Sequence, residues 1–405
     1  MIKKALYIIA IATISSCCTK KNGTAPHGNK PAETMHSTTA TDKETTAESN
    51  TFWSELFVKV CESSTKENIC ISPLSAQLAM AMVANGAEGE TKEEICNVMQ
   101  FGNDFNSHSK KLMDTPESHS CKFEIANSIW INEKLDVKKP FVVTNREYFD
   151  ALVERIKFDD SAVSRINGWC NEKTNGKIPN IIEKVKKNDM MYLLNTIYFT
   201  AKWNKPFTKQ NTTKQKFTTE KGEEVEVDMM MQRSTSTYYS NDLFTMTTKS
   251  YNGGYSMLLV LPNEGVNCSE VAKHLTNNLD TYIGEMERCD VQLSLPKFKT
   301  NFFTSLKPML TDLGIERAFG NGAQFGGISD KPLLISDVMQ KTFISVDEEG
   351  TEAAAVTSVA VGLMSAGRPD RIEIMKLDRP FIYAIIDNSN NEVLFAGKVG
   401  DPTKK

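Results

Sequence analysis

Between Thr351 and Ala366 the chain reads TEAAAVTSVAVGLMSA, sixteen mostly small residues with one charge, no Pro and no aromatic. Such a stretch fills a core poorly. Asp347-Glu348-Glu349-Gly350 sets its start, and Gly367-Arg368-Pro369-Asp370-Arg371 forms a turn after it. At period two, one face carries Thr351, Ala353, Ala355, Thr357, Val359 and Val361, and the other Glu352, Ala354, Val356, Ser358, Ala360 and Gly362. Small residues on both faces fit between two existing strands without overpacking, so the segment can be a loop in one state and a strand in another. An ordinary buried strand and the start of an Ala-rich helix are the plainer readings of the same composition.

The rest of the 405 residues is ordinary globular chain, 40% hydrophobic and 24% charged, with 47 Lys+Arg against 51 Asp+Glu for a net charge of −4. That balance excludes coiled-coil, collagen-like and polytopic membrane classes and leaves no electrostatic footprint for nucleic acid. Ser72-Pro73-Leu74 predicts a capped helix through Leu78, Ala81 and Met82 to Gly86. Thr91 with Glu94 reads as a capping box for a helix through Ile95 and Val98, and Leu306, Met309, Leu310 and Leu313 before Gly314 as a third helix. Met191 to Phe199, Met257 to Leu261, Val291 to Leu295, Leu333 to Ile335, Phe343 to Val346, Ile382 to Ile386 and Val393 to Phe395 read as strands. No regular helix-strand alternation links them, which predicts an α+β architecture.

Residues 1–16 read as a signal peptide, with Lys3 and Lys4 before an apolar Ala5 to Ile14 too short to span a bilayer. Ile14-Ser15-Ser16-Cys17 resembles a bacterial lipobox with Cys17 as the lipidated residue; Cys18, or a plain secretory cut nearby, is the alternative. Cys18 to Asn50 contains no Ile, Leu, Val, Phe, Trp or Tyr, so residues 17–50 are expected to be a lipid-anchored disordered tether and 51–405 the folded domain. The remaining Cys (Cys61, Cys70, Cys96, Cys121, Cys170, Cys268, Cys289) lack metal-type spacing, and their odd number leaves at least one free thiol. His108, His119 and His274 sit in polar settings without a hydrolase, zinc or phosphate-loop motif, so neither a catalytic centre nor a metal or other cofactor is expected. Met229-Met230-Met231 reads as strand packing.

Around the unusual stretch, Glu348-Glu349-Gly350-Thr351-Glu352-Ala353-Ala354-Ala355 resembles the reactive-loop hinge of serpins. Asn68-Ile69 with Ser72-Pro73-Leu74-Ser75 and Gly86-Ala87, Asn195-Thr196-Ile197-Tyr198-Phe199 with Lys202-Trp203, Leu295-Pro296-Lys297-Phe298, Asp378-Arg379-Pro380-Phe381 and Phe395-Ala396-Gly397-Lys398-Val399 resemble serpin blocks in serpin order. The resemblance covers Thr51 to Pro402.

It implies a serpin fold of three mixed or antiparallel sheets with about eight or nine helices and an exposed reactive-centre loop. It implies further a suicide-substrate inhibitor of serine, and sometimes cysteine, proteases, in which the cleaved loop enters the central sheet as a new strand. A non-inhibitory serpin acting as a binding or scaffold protein is the other reading. The hinge would be Glu348 to Thr357, including Val356 where the family usually has Ala. The scissile bond would be Met364–Ser365, or one residue earlier at Leu363–Met364. Either apolar residue suits elastase-, chymotrypsin- or subtilisin-like enzymes and disfavours trypsin-like ones. Ser72, Ser75, Asn195 and Gln340 match the shutter, Gln340 standing where many serpins have His. Trp203, Lys297 and Glu348 match the breach, the last two as an ion pair. The Phe101 to Cys121 region, with Lys110, Lys111 and Lys122 as its cations, lacks the equipment for glycosaminoglycan. The expected partner is one target protease, held covalently by an exported, membrane-anchored monomer, on the bacterial outer membrane or released.

Overall fold

A computed structural model describes residues 39–114, 121–351 and 371–404, with the backbone alone at 39–50, 123 and 124. Contacts group Thr41–Lys405 into one unit. The signal segment, Cys17, the tether before residue 39, His119, Glu352 to Thr357, and Leu363, Met364 and Ser365 lie outside the described residues.

Ser72 caps its helix as the sequence predicts: it has extended backbone, its Oγ accepts the Ser75 N–H at 3.2 Å, and Pro73 opens Pro73–Ala84. Every residue of that helix except Gln77 is buried, because it lies against strands of both sheets described below. Helix Lys307–Asp312 likewise follows Leu306. The capping box does not form. Helix Gly89–Met99 starts two residues before Thr91, whose Oγ1 instead accepts the Gln324 N–H at 3.0 Å, while Glu94 accepts the N–H groups of Glu316 and Arg317. Both polar groups tie the helix to a distant segment, a use that local spacing does not reveal.

The first helix runs Thr39–Ser63 and so begins inside the stretch expected to be tether. Phe52, Trp53, Leu56, Phe57 and Val60 bury one side of its second half. Lys43, Glu44, Ala47 and Glu48 are good helix formers by residue type, so an apolar count alone misplaces the start.

Hydrogen bonding gathers the described strands into two sheets. The smaller has the order Phe298–Ser305, Asp337–Val346, Gly350–Thr351, Met191–Lys202, Cys121–Asn132, Leu152–Ile156. The larger has nine strands, and the single strand Glu224–Ser240 explains why it counts as one. This strand pairs with Thr213–Thr218 and Glu287–Pro296 along most of its length, and through Tyr238–Ser240 with Phe244–Ser250. Two groups of strands that resemble separate sheets therefore share one ladder. Nine α-helices among the described residues complete the α+β fold. Leu333 and Ile335 are buried, but the run is not a strand. Ile335 N–H bonds to the Ala318 carbonyl, and regular pairing begins only at Asp337. Burial of a short apolar run does not by itself supply a ladder.

A partly opened sheet with a two-residue wedge

Asp337–Val346 and Met191–Lys202 are parallel neighbours, paired directly from Asp337↔Tyr192 to Thr342↔Ile197. Their direct pairing ends there. Farther along, Thr351 stands between them, opposite Val346 on one side and Ala201 on the other, with Gly350 opposite Lys202. Thr351 is fully buried. Its Oγ1 shares a hydrogen bond of 2.5 Å with Tyr251 Oη. Gly350 is required by proximity: a Cβ there would meet the Ala201 carbonyl oxygen at 2.1 Å and Lys202 Cα at 2.8 Å. The turn before it is closed by Asp347, whose carboxylate accepts the N–H groups of Glu349 and Gly350 at 2.9 and 3.3 Å.

The three residues expected at the breach come together over this wedge. Lys297 Nζ lies 2.9 Å from Glu348 Oε2, and Thr212 Oγ1 donates to Glu348 Oε1 at 2.9 Å. Burial pushes the Glu348 carboxyl up, but the bonds from Lys297, its own backbone and Thr212 outweigh it and hold the group below the usual carboxylate range. Trp203 Nε1 donates to the Asp347 carbonyl, Trp203 N–H to that of Glu349 and Phe207 N–H to that of Glu348, each at 2.9 Å. The Trp203 ring stacks on Tyr251 with centroids 4.1 Å apart. Thr212, Phe207 and Tyr251 were not legible as site residues, since nothing in their local sequence separates them from loop and core residues.

Six residues along the strands from Ala201 and Val346, the four expected shutter residues meet at the N-terminus of Pro73–Ala84. Gln340 and Asn195 are direct cross-strand partners. Gln340 Oε1 accepts the Ser72 N–H at 2.9 Å, and its Nε2 donates to the Ser72 carbonyl at 2.8 Å. Ser72 Oγ donates to the Leu394 carbonyl at 2.7 Å. Ser75 Oγ donates to Asn195 Oδ1, and Asn195 Nδ2 donates to Asn127 Oδ1 at 2.5 Å. Gln340 thus makes an amide-to-backbone pair with one helix residue while Asn195 is held by the next turn. Asn127 was missed, although a polar residue inside the apolar run Ile125 to Ile131 was the available signal.

His108 and His274 are exposed, and no cluster of metal-ligating side chains occurs among the described residues. Met229 and Met230 are fully buried strand residues. The seven described Cys are free thiols, all buried except the intermediate Cys96. Helix Phe105–Met113 carries only Lys110 and Lys111 as cations, and Lys110 is engaged with the Glu147 carbonyl.

A family profile described as Serpin (serine protease inhibitor) matches residues 47–402. The chain belongs to the serpin family. It is 34% identical over 415 residues to an uncharacterized serpin-like protein of Methanosarcina acetivorans, covering 98% of this chain and 96% of the relative. It is 31% identical to serine proteinase inhibitor A3K of Cavia porcellus, over 85% of this chain and 86% of that one. Among solved structures, native tengpin, a thermophilic serpin, superposes with a TM-score of 0.82 at 36% identity, over 89% of this chain and 94% of its own. Human thyroxine-binding globulin superposes equally well, at 0.82 with 27% identity, over 90% of this chain and all of its own.

Two outcomes follow from this geometry. Gln340→Ala leaves the buried Ser72 N–H without its acceptor, a cost of about 1–3 kcal/mol, and is expected to shorten the half-life of the native form at a fixed elevated temperature. An unchanged half-life would mean that the amide does not brace the shutter. Because the Glu348 carboxyl is held down in the folded chain, its stabilisation is present at neutral pH and lost as the pH falls through its folded value, below the ordinary carboxylate range. Trp203 fluorescence should report that loosening, and Glu348→Gln should remove that titration step.

Proposed function

We propose that the chain is a suicide-substrate inhibitor of serine endopeptidases with apolar primary specificity. The observation that carries this reading is the register of the wedge. Thr351 pairs with Ala201 and Val346 in antiparallel fashion, so continued pairing keeps the sums 351 + 201 = 552 and 351 + 346 = 697 constant along the two strands. Residue 357 then falls opposite 552 − 357 = 195 and 697 − 357 = 340, which are Asn195 and Gln340, partners of each other in the present sheet. One insertion path thus satisfies both ladders and replaces the shutter pair with Thr357 between its members. The face that would turn inward carries Thr351, Ala353, Ala355, Thr357, Val359 and Val361, free of Pro, charge and large side chains.

In this mechanism the protease serine attacks the Met364 carbonyl carbon, the bond to the Ser365 nitrogen breaks, and the new amino terminus leaves while Met364 remains as an ester on the enzyme. Freed at one end, the loop enters the sheet. Met364 lies 364 − 351 = 13 residues beyond the wedge, so at about 3.3 Å per residue the ester moves roughly 43 Å and distorts the protease before water can release it. About a dozen residues gaining ladder bonds at ~0.5–1.5 kcal/mol each supply on the order of ten kcal/mol, so the uncleaved form persists because of its barrier. Leu363–Met364 as the cleaved bond leaves the apolar preference intact. We further propose that the chain is an exported monomer held on the outer membrane by lipid on Cys17. A second reading, a binding protein that does not trap proteases, is favoured by the equally close superposition on thyroxine-binding globulin.

Incubation with an elastase-like protease should give a covalent complex that survives denaturing gels, and the nicked inhibitor should melt far higher than the intact one. Thr357→Arg, which alters the loop and leaves the seated wedge alone, should convert the complex into turnover products. Turnover alone from the unmodified chain would favour the binding-protein reading. Separately, Cys17→Ser should move the protein from the membrane to the soluble fraction, and retention there would overturn the lipid anchor.

A further inference from the structure

Beside the breach, one lysine is enclosed in a way the inhibitory mechanism does not use. Lys249, in strand Phe244–Ser250, is only 8% exposed. Its Nζ donates to the Lys205 carbonyl at 2.9 Å and to Gln232 Oε1 at 2.6 Å, and lies 4.1 and 5.1 Å from the ring centroids of Phe207 and Trp203. All four partners are neutral. Burial first, and then the like charge of Lys205, push its pKa down to about 7. A cation placed this way lacks a counter-charge.

The same lysine lines a cavity of about 210 Å³ together with Lys205, Ser234, Thr235, Ser236 and Thr248. No Asp or Glu lines it. Two lysines, a set of hydroxyl-bearing residues and no carboxylate residue make a lining suited to negative oxygen, and the cavity's volume exceeds what a single water needs by an order of magnitude. We propose that this cavity is a binding site for a small tetrahedral oxyanion, phosphate or sulfate, with Lys249 as its buried cation and Lys205 closing it from the surface. The anion supplies the counter-charge that Lys249 lacks, and the hydroxyls of Ser234 and Thr235 in strand Glu224–Ser240 supply donors. The site stands whether or not the loop inserts.

The test uses the full chain and inorganic phosphate, sulfate, acetate and chloride at matched ionic strength. Calorimetric titration should give saturable 1:1 binding of phosphate and sulfate, and phosphate at ten times its dissociation constant should raise the thermal midpoint, at one scan rate, by about 2 °C. Lys249→Met, which keeps the volume but not the charge, and Lys205→Gln, at an exposed position, should each weaken binding at least tenfold. Lys92→Gln, an exposed lysine elsewhere, should leave it unchanged. Lys205→Gln keeps the proposal open to failure if the Lys249 variant does not fold. A phosphate effect no larger than that of chloride, acetate binding as tightly as phosphate, or undiminished phosphate binding to Lys205→Gln would each overturn the site.

Discussion

The structure turns on a pair of parallel strands that is zipped at one end and wedged at the other. Direct pairing from Asp337↔Tyr192 to Thr342↔Ile197 keeps the sheet closed, while Thr351, buried between Val346 and Ala201, keeps its upper end apart. Parallel pairing is what makes this possible, since a strand antiparallel to both can enter between them without reversing either. Every feature of the candidate site bears on one end or the other of that line.

At the upper end, hinge residues are gripped through backbone atoms. Trp203 and Phe207 bond to the carbonyls of Asp347, Glu348 and Glu349, so the grip is indifferent to most hinge side chains. The Lys297–Glu348 pair adds the charged component, and the buried carboxylate makes it more than an exposed ion pair of little consequence. At the lower end the helix N-terminus acts as a brace. Gln340 and Asn195 reach Ser72 and Ser75, so parting the strands requires exchange of several buried hydrogen bonds at once. The glutamine supplies both a donor and an acceptor at this point, and it carries no proton that titrates near neutral pH.

The two ends answer to different physics. The breach is an electrostatic and aromatic clasp around the chain leading into the loop, whereas the shutter is a neutral polar network sealed by apolar helix and strand residues.

Much of this was legible from the chain. The capped helix at Ser72 and the α+β class rest on local spacing, while the residues expected at breach and shutter were singled out through the resemblance to serpin blocks, and the structure brings each set together. Legibility failed where a residue's partner is distant in sequence. Thr91 and Glu94 have the form of a capping box but bond to residues 316–324, Leu333 and Ile335 are buried without a ladder, and Asn127, Tyr251 and Lys249 acquire their roles only from what packs beside them. Sequence by itself determined that residues 351–366 are small and nearly uncharged, because size and polarity belong to the residues themselves. Where Gly350 and Thr351 are seated, how Gln340 and Asn195 pair, and which cation is enclosed were decided by the tertiary structure, since each depends on long-range packing that no local pattern encodes.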